Sequence, residues 1–233
     1  MGYLPIFLDV TGRKCLVVGG GEVAARKVES LLDADALVTV VSPQLNDALA
    51  AMVQRGAIAH IDRTYRRGDI SGCALVYAAT DDPRLHREIA AEAHELGIML
   101  NVVDVPGLCT FIAPAVVKQG TLQIAISTEG ASPAFASRLR RELERQFGIE
   151  YGLALRILQA ARDYLRSQKP DLAQRSQRLK ALAESELPEA LRRQDFAAIE
   201  RIVTVCLGDG IGLATLGIDP ASLGLTNGLT ASR

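Results

Sequence analysis

The sequence predicts an α/β protein: a doubly wound parallel sheet, then a small α+β segment, then a carboxyl-terminal helical domain. Three observations carry this. Short apolar, β-branched runs alternate with amphipathic stretches over the first half of the chain, and parallel strands need such crossovers between them. A glycine-rich turn joins the first strand pattern to the first helix pattern. After Asp104 the alternation stops, and a hairpin pattern and then helices alone follow.

The elements follow in order. Lys14 to Val18 reads as a buried strand. Glu22 to Leu32 reads as a helix, with Val23, Val28, Leu31 and Leu32 on one face. Ala36 to Val41, Ile58 to Ile61, Ala74 to Ala79 and Ile98 to Val103 read as further strands. Pro83 to Leu96 reads as a helix that stops at Gly97, a residue suited to a left-handed cap. Ala115 to Val117 and Leu122 to Ile126 flank Gln119-Gly120 as a hairpin. Ser132 and Pro133 supply an N-cap and a first-turn proline for a helix carrying Phe135, Leu139, Leu143 and Phe147 at four-residue spacing. Tyr151 to Cys206 is amphipathic and helical, broken near Pro170 and Pro188. The run 207–233 is rich in Gly, Leu and Thr and is expected to be a loosely ordered extension. The expected division is 1–113, 114–150 and 151–233.

Composition excludes several classes. With 26 basic and 27 acidic residues the chain has a formal net charge of -1, which gives no basic surplus for general nucleic-acid binding. At 48% apolar it can bury a core. The four cysteines Cys15, Cys73, Cys109 and Cys206 show no C-x-x-C spacing, so neither a zinc site nor a disulfide framework is expected. The first residues lack the basic and apolar regions of a signal peptide, and no apolar run reaches the ~18 residues of a membrane span. A soluble cytoplasmic protein without a membrane partner is the expectation.

Gly19-Gly20-Gly21-Glu22-Val23-Ala24 fits G-x-G-x-x-A between a strand and a helix. Gly19 permits the tight turn, Gly21 lets a diphosphate approach the backbone, and Ala24 lets helix and strand pack closely. Glu22, Val23 and Ala24 open the helix, whose N–H groups and dipole favour phosphate. The pattern predicts a Rossmann-like domain that binds a dinucleotide. The second strand ends in Ser42-Pro43 rather than in an acid. Ser42 is placed to bond a ribose hydroxyl but does not reject a 2′-phosphate, so this position leaves NAD and NADP both open. Thr80 and Asp81 follow the fourth strand beside the same cleft, and Asp82 before Pro83 reads either as part of that loop or as a helix cap. Asn101 lies on the fifth strand and Asp104 just past it. A carboxylate there can take a proton while hydride leaves a substrate.

Tyr3-Leu4-Pro5-Ile6-Phe7, Val17 to Lys27, Ala78 to Asp82, Asn101 to Asp104, Phe111-Ile112-Ala113-Pro114 and Ser127 to Pro133 occur in this order. The series resembles precorrin-2 dehydrogenase, the amino-terminal half of siroheme synthase. The resemblance covers about residues 1–150, and the helical part only by class. It implies NAD-dependent oxidation of the tetrapyrrole precorrin-2 to sirohydrochlorin. In some members it also implies insertion of ferrous iron, which is then a substrate rather than a bound metal. It further implies a homodimer built through the segment after Asp104, and it makes Asp104 the leading general-base candidate. A chain of 233 residues is expected to lack the methyltransferase found in longer members.

A substrate with many carboxylates needs cations. Lys118, Arg138, Arg140 and Arg141 are candidates, although any one arginine on a helix is more often simply solvated. Asn101, Ser127, Thr128, Gly130, Ala131 and Ser132 are candidates for the substrate cleft. His86 departs from the asparagine common there and reads as a helix residue without an assigned role, more often surface than catalytic. His60 and His94 share no ligand spacing with it, so no resident metal is expected. The rival reading is a module that senses NAD(H) and catalyses nothing, since this fold also hosts such sensors.

Overall fold

In the computed structural model, which describes residues 2–168 and 171–224, the chain divides into two compact units, 1–113 and 114–233. The first holds five parallel strands: β1 (Lys14–Val18), β2 (Leu37–Val41), β3 (Ala59–Ile61), β4 (Leu75–Ala78) and β5 (Met99–Val102). Their order is β3-β2-β1-β4-β5, with every neighbouring pair parallel. The chain leaves the central strand β1 toward β2 and later returns to its other side at β4. The carboxyl ends of β1 and β4 therefore flank the crevice where this architecture takes ligands.

Strand period sets the layers. Cys15 and Val17 face a core with Ala24, Val28 and Leu31 of α1 (Glu22–Leu32) and Leu49 and Met52 of α2 (Asp47–Gln54). Leu16 and Val18 face the other core, with Ile89 and Ala93 of α3 (Pro83–Leu96). Strands buried on both faces read as unbroken apolar runs, which is why β1 and β4 were legible. Helix α2 is absent from the expected elements. Its signal was Asn46, whose side chain accepts from Leu49 N–H at 2.9 Å, ahead of apolar residues three apart. Helix α3 starts on Asp82 and Pro83 and ends on Gly97 at φ 64°. A latch ties the loop after β3 to this helix: the Tyr65 hydroxyl donates to Glu92 Oε2 at 2.6 Å and Gly68 N–H to Oε1 at 2.8 Å.

The second unit opens with the hairpin β6 (Ala115–Gln119) and β7 (Leu122–Ile126). Gln119 pairs with Leu122, so the turn is Gly120-Thr121, one residue later than expected, because Gly120 takes the left-handed position at φ 60°. Helices α4 (Pro133–Gln146), α5 (Ile149–Ser167), α6 (Leu172–Ala183), α7 (Leu187–Arg192) and α8 (Phe196–Leu207) follow. The expected break at Pro188 falls at the start of α7; Pro170 lies outside the described residues. Gly152 lets α5 rest on the hairpin turn, since a Cβ there would meet the Gln119 carbonyl.

The run after α8 departs from expectation. Up to residue 224 it is packed rather than loose: Leu213 and Leu223 are buried in the helical core. Arg156 donates to the Ser222 carbonyl at 2.9 Å, and Glu200 accepts from Leu213 N–H. Two leucines spaced ten residues apart carried too little periodicity to announce this. The remainder, 225–233, lies outside the described residues.

Arg192 donates twice to Glu150 Oε1, at 2.9 and 2.6 Å, joining α7 to the start of α5. Burial alone would raise the Glu150 carboxyl. Hydrogen bonds from backbone N–H groups and from Arg192 outweigh it and hold the carboxyl below its usual range. A carboxyl lowered in the folded state stabilises the fold above its unfolded pKa of about 4.3, and that stabilisation is lost as pH falls through the folded value. Glu150→Gln is therefore expected to cost about 1–2 kcal/mol at neutral pH, a modest loss because Arg192 is half exposed and water screens the pair. Thermal melts should show the wild-type advantage shrinking below about pH 4.

Candidate functional site

The glycine turn is pressed between two neighbouring loops. Gly19 has φ 121°, and a Cβ on it would run into the Ala79 carbonyl oxygen. A Cβ on Gly20 would run into the Gln44 carbonyl oxygen. Gly19 N–H donates to the Val41 carbonyl at 3.0 Å and Asn46 N–H to the Gly20 carbonyl at 2.8 Å, which fixes that approach. Gly21 differs: its Cβ direction is open, with nothing within 4 Å. Gly21 is the N-cap of α1 and no side chain caps that helix, so the first-turn N–H groups of Glu22, Val23 and Ala24 have no side-chain acceptor. A cavity of about 340 Å³ lies here, lined by Gly20, Gly21, Gln44, Leu45 and Asn46. Open space over bare backbone at a helix amino terminus fits the diphosphate of a dinucleotide. A larger depression of about 670 Å³, lined by residues including Arg13, Lys14, Cys73 and Gly97, sits at the amino ends of β1, β4 and β5. The smaller cavity is the better candidate because only the carboxyl ends of the strands present a helix amino terminus.

The two loops flanking the turn hold the other expected cofactor residues. Ser42 is buried and its hydroxyl donates to the Gln44 carbonyl at 2.6 Å, shaping the loop that meets Gly20. Pro43 is exposed beside it. Glu22 accepts from Asn46 Nδ2 at 3.2 Å. Thr80 borders Gly19, its methyl 3.5 Å from where a Cβ would stand. Asp81 is exposed, whereas Asp82 caps α3 by accepting from Arg84 N–H at 2.8 Å. His86 is not a surface residue: it is 5% exposed, and its Nε2 lies 2.8 Å from the Thr80 carbonyl and 3.1 Å from Thr80 Oγ1. Its spacing with Ile89 and Ala93, both buried on α3, put it on the inner face. There it braces Thr80 from behind.

Asp104 stands just past β5 in a left-handed conformation, φ 58°. Its exposed carboxylate makes no hydrogen bond or ion pair with the described residues. The turn is held from below. Val103 N–H donates to the Ala78 carbonyl at 2.9 Å. Cys109 Sγ accepts from Val102 N–H at 3.2 Å and donates to the carbonyls of Val102 and Val105. Burial pushes the Cys109 thiol up, so it keeps the proton it donates. Asn101 is buried, with Nδ2 donating to the Phe111 carbonyl at 3.0 Å. Cys109 carried no motif, and only its place a few residues after β5 pointed to it.

The remaining candidates lie in the second unit. Thr128 Oγ1 donates to the Ser132 carbonyl and accepts from Ser132 N–H, both at 3.2 Å. Ser127 Oγ accepts from Glu129 N–H at 3.0 Å. Glu129 and Gly130 take positive φ of 51° and 85°. Ser132 caps α4 by accepting from Phe135 N–H. Arg138 pairs with Glu142 at 3.2 Å and lies over the Phe135 ring, while Lys118 is exposed on β6. Arg140 pairs with Glu144, and Arg141 donates to Ser137 Oγ at 2.9 Å. Among the described residues no three His, Cys, Asp or Glu side chains converge as a metal site.

Gly20 and Gly21 separate folding from binding. Gly21→Asp is expected to leave the melting temperature near wild type, because the space is open, and to abolish NADH binding by filling the diphosphate position with a negative side chain. Gly20→Ala is expected to destabilise the fold by about 1–3 kcal/mol through overpacking against Gln44. Fluorescence titration with NADH and thermal melts of both variants check this.

The comparisons agree with the geometry. The family described as "Putative NAD(P)-binding" matches residues 6–115, and the one described as "Sirohaem biosynthesis protein central" matches residues 119–146. The siroheme synthase of Azotobacter vinelandii is 42% identical over 175 residues, 75% of this chain and 38% of that protein. The siroheme synthase of Pseudomonas paraeruginosa is 39% identical over 211 residues, 91% of this chain and 45% of that protein. A solved structure titled "SirC, precorrin-2 dehydrogenase" superposes with a TM-score of 0.69 at 23% identity, covering 86% of this chain and 98% of that one, a likeness of fold. The chain spans a little under half the length of the curated relatives it matches. Over most of its length the chain is therefore similar to part of siroheme synthase.

Proposed function

We propose that this chain oxidises precorrin-2 to sirohydrochlorin with NAD. The observation that carries the reading is the pairing of an open, bare-backbone phosphate seat at Gly21 with an exposed carboxylate that makes no hydrogen bond among the described residues, Asp104, at the carboxyl edge of the same sheet. The siroheme synthase relatives and the precorrin-2 dehydrogenase of like fold support the substrate. No observation favours the non-catalytic sensor.

The residues divide the work as follows. Gly19 and Gly20 bring the loops after β2 and β4 against the turn. Gly21 and the N–H groups of Glu22, Val23 and Ala24 bind the diphosphate. Thr80 and Asp81, with the loop carrying Ser42 and Pro43, border the nucleoside portions. When bound, NAD supplies the acceptor for a hydride. Extending the conjugation of the macrocycle releases that hydride together with a proton, and Asp104 takes the proton. Asn101 and Cys109 keep the Asp104 turn in place. Asn101 also borders the substrate. Ser127, Thr128, Gly130, Ser132, Arg138 and Lys118 are the substrate-binding candidates of the second unit. Ferrous iron insertion into sirohydrochlorin is a second reaction for the same carboxylate, since it must also remove pyrrole protons. Iron is there a substrate.

We also propose a homodimer through residues 114–150. Phe135 is 45% and Val116 39% exposed, and on α4 only Ala136 is buried. No described helix is long and apolar enough to cross a membrane.

Anaerobic assay with precorrin-2 and NAD is expected to yield NADH. Asp104→Ala should lower turnover by about 10²–10⁴-fold, the span of a lost general base, while NADH binding persists. Assay with sirohydrochlorin and ferrous iron tests the second reaction. Undiminished NADH formation by the variant would remove Asp104 from its role, and none by the wild type would end the dehydrogenase reading.

A further inference from the structure

One half-buried cation near Asp104 makes no hydrogen-bonded ion pair among the described residues: it feels the Asp104 charge without bonding it. Lys27 lies on α1 between exposed Arg26 and fully buried Val28, and its Nζ stands 5.1 Å from the centroid of the Tyr77 ring. Tyr77 is in register with Val17 on β1 and with Asn101 on β5, so the three side chains form a row on the sheet face that α1 covers. Tyr77 is 8% exposed and meets Phe111 edge-on, with centroids 5.5 Å apart. Phe111 in turn gives its carbonyl to Asn101. The ammonium thus stands on the ring that leads, residue by residue, to the turn carrying Asp104.

Among the described residues Lys27 makes no hydrogen bond and no ion pair; its polar neighbour is the Tyr77 ring face. Burial pulls its pKa down, the Arg26 charge adds to this, and Asp104 works the other way. Half-burying an ammonium against a ring alone gives back little of its hydration. A methionine or glutamine would pack the same stem without that cost, so packing does not account for the charge. The dinucleotide does not account for it either. Its diphosphate is met at the first turn of α1, and Lys27 is five residues beyond Glu22, about 7.5 Å along the axis. Asp104 acts on the ammonium only through its charge; a carboxylate that bonds it directly is still lacking, and the substrate proposed for this site carries many.

We infer that Lys27 is a substrate-binding cation: its ammonium, seated over Tyr77 in the row that leads to Asp104, receives one peripheral carboxylate of the tetrapyrrole and so sets which edge of the macrocycle faces Asp104. Resting on the precorrin-2 dehydrogenase reading, the inference adds a contact within the first unit to the cations sought in the second. A carboxylate on the ammonium forms a charge-assisted hydrogen bond and relieves the burial penalty of the lysine.

The test uses the full chain with Lys27→Met, which keeps the stem, Lys27→Gln as a second uncharged variant, and Lys27→Arg, which keeps the charge. Sirohydrochlorin is titrated by absorbance, NADH by fluorescence, and the KM and kcat for precorrin-2 are measured anaerobically. Both uncharged variants are expected to bind sirohydrochlorin about tenfold more weakly, the scale of one lost charged hydrogen bond. The KM for precorrin-2 should rise in parallel, with NADH affinity within about twofold of wild type. Lys27→Arg should recover most of the loss. Sirohydrochlorin affinity unchanged in a folded, uncharged variant overturns the inference and leaves the dehydrogenase reading intact. Equal weakening toward NADH and sirohydrochlorin overturns it too, since that marks a packing role. A wild type that forms no NADH from precorrin-2 ends the parent reading, and this inference with it.

Discussion

Two backbone carbonyls, those of Ala79 and Gln44, stand where the Cβ atoms of Gly19 and Gly20 would be. The rest of the site depends on that close approach. It draws the loops after β2 and β4 onto the turn at the end of β1, and it leaves the amino terminus of α1 bare at Gly21. A side chain at either inner glycine would push a loop away and open the crevice to water. The chemistry of the site therefore begins with an absence of side chains, and the polar groups around it mostly hold loops. Ser42 shapes one loop, and His86 braces the other through Thr80.

The same economy applies at Asp104. A non-glycine residue in the left-handed region costs about 1–2 kcal/mol, so the neighbouring structure must hold it there. Cys109 does so by bonding three backbone groups around the turn, and the Asn101 amide anchors the following chain at Phe111. The carboxylate itself makes no hydrogen bond among the described residues and has Lys27 as a charged neighbour. Strain kept at a group whose side chain bonds nothing is the pattern expected of a residue reserved for a ligand.

Much of this was legible because it is local. G-x-G-x-x-A between a strand and a helix fixes the turn, the helix start and the phosphate seat together, and the apolar runs of β1 and β4 announce strands buried on both faces. What was not legible depends on contacts between distant segments. Gly20 occupies an unconstrained place in the motif and is required only because Gln44 comes to meet it. His86 falls on the inner face of α3, next to a loop whose path the sequence does not state. Leu213 and Leu223 join the helical core through Arg156 and Glu200, partners far away along the chain. Helix α2 was short, and its cap at Asn46 stood in a stretch otherwise read as connection. The aspartate at residue 104 stood out by position, but the cysteine that holds its turn had no pattern of its own.

The central claim is geometric: a dinucleotide seated on Gly21 brings its nicotinamide within reach of Asp104. A crystal structure with NAD and sirohydrochlorin bound tests this most directly. The account predicts the diphosphate over Gly21 and the first turn of α1, with the Asp104 carboxylate facing the macrocycle beside the nicotinamide. A dinucleotide bound in the depression beside Arg13 and Lys14, or an Asp104 carboxylate turned away from both ligands, would contradict it.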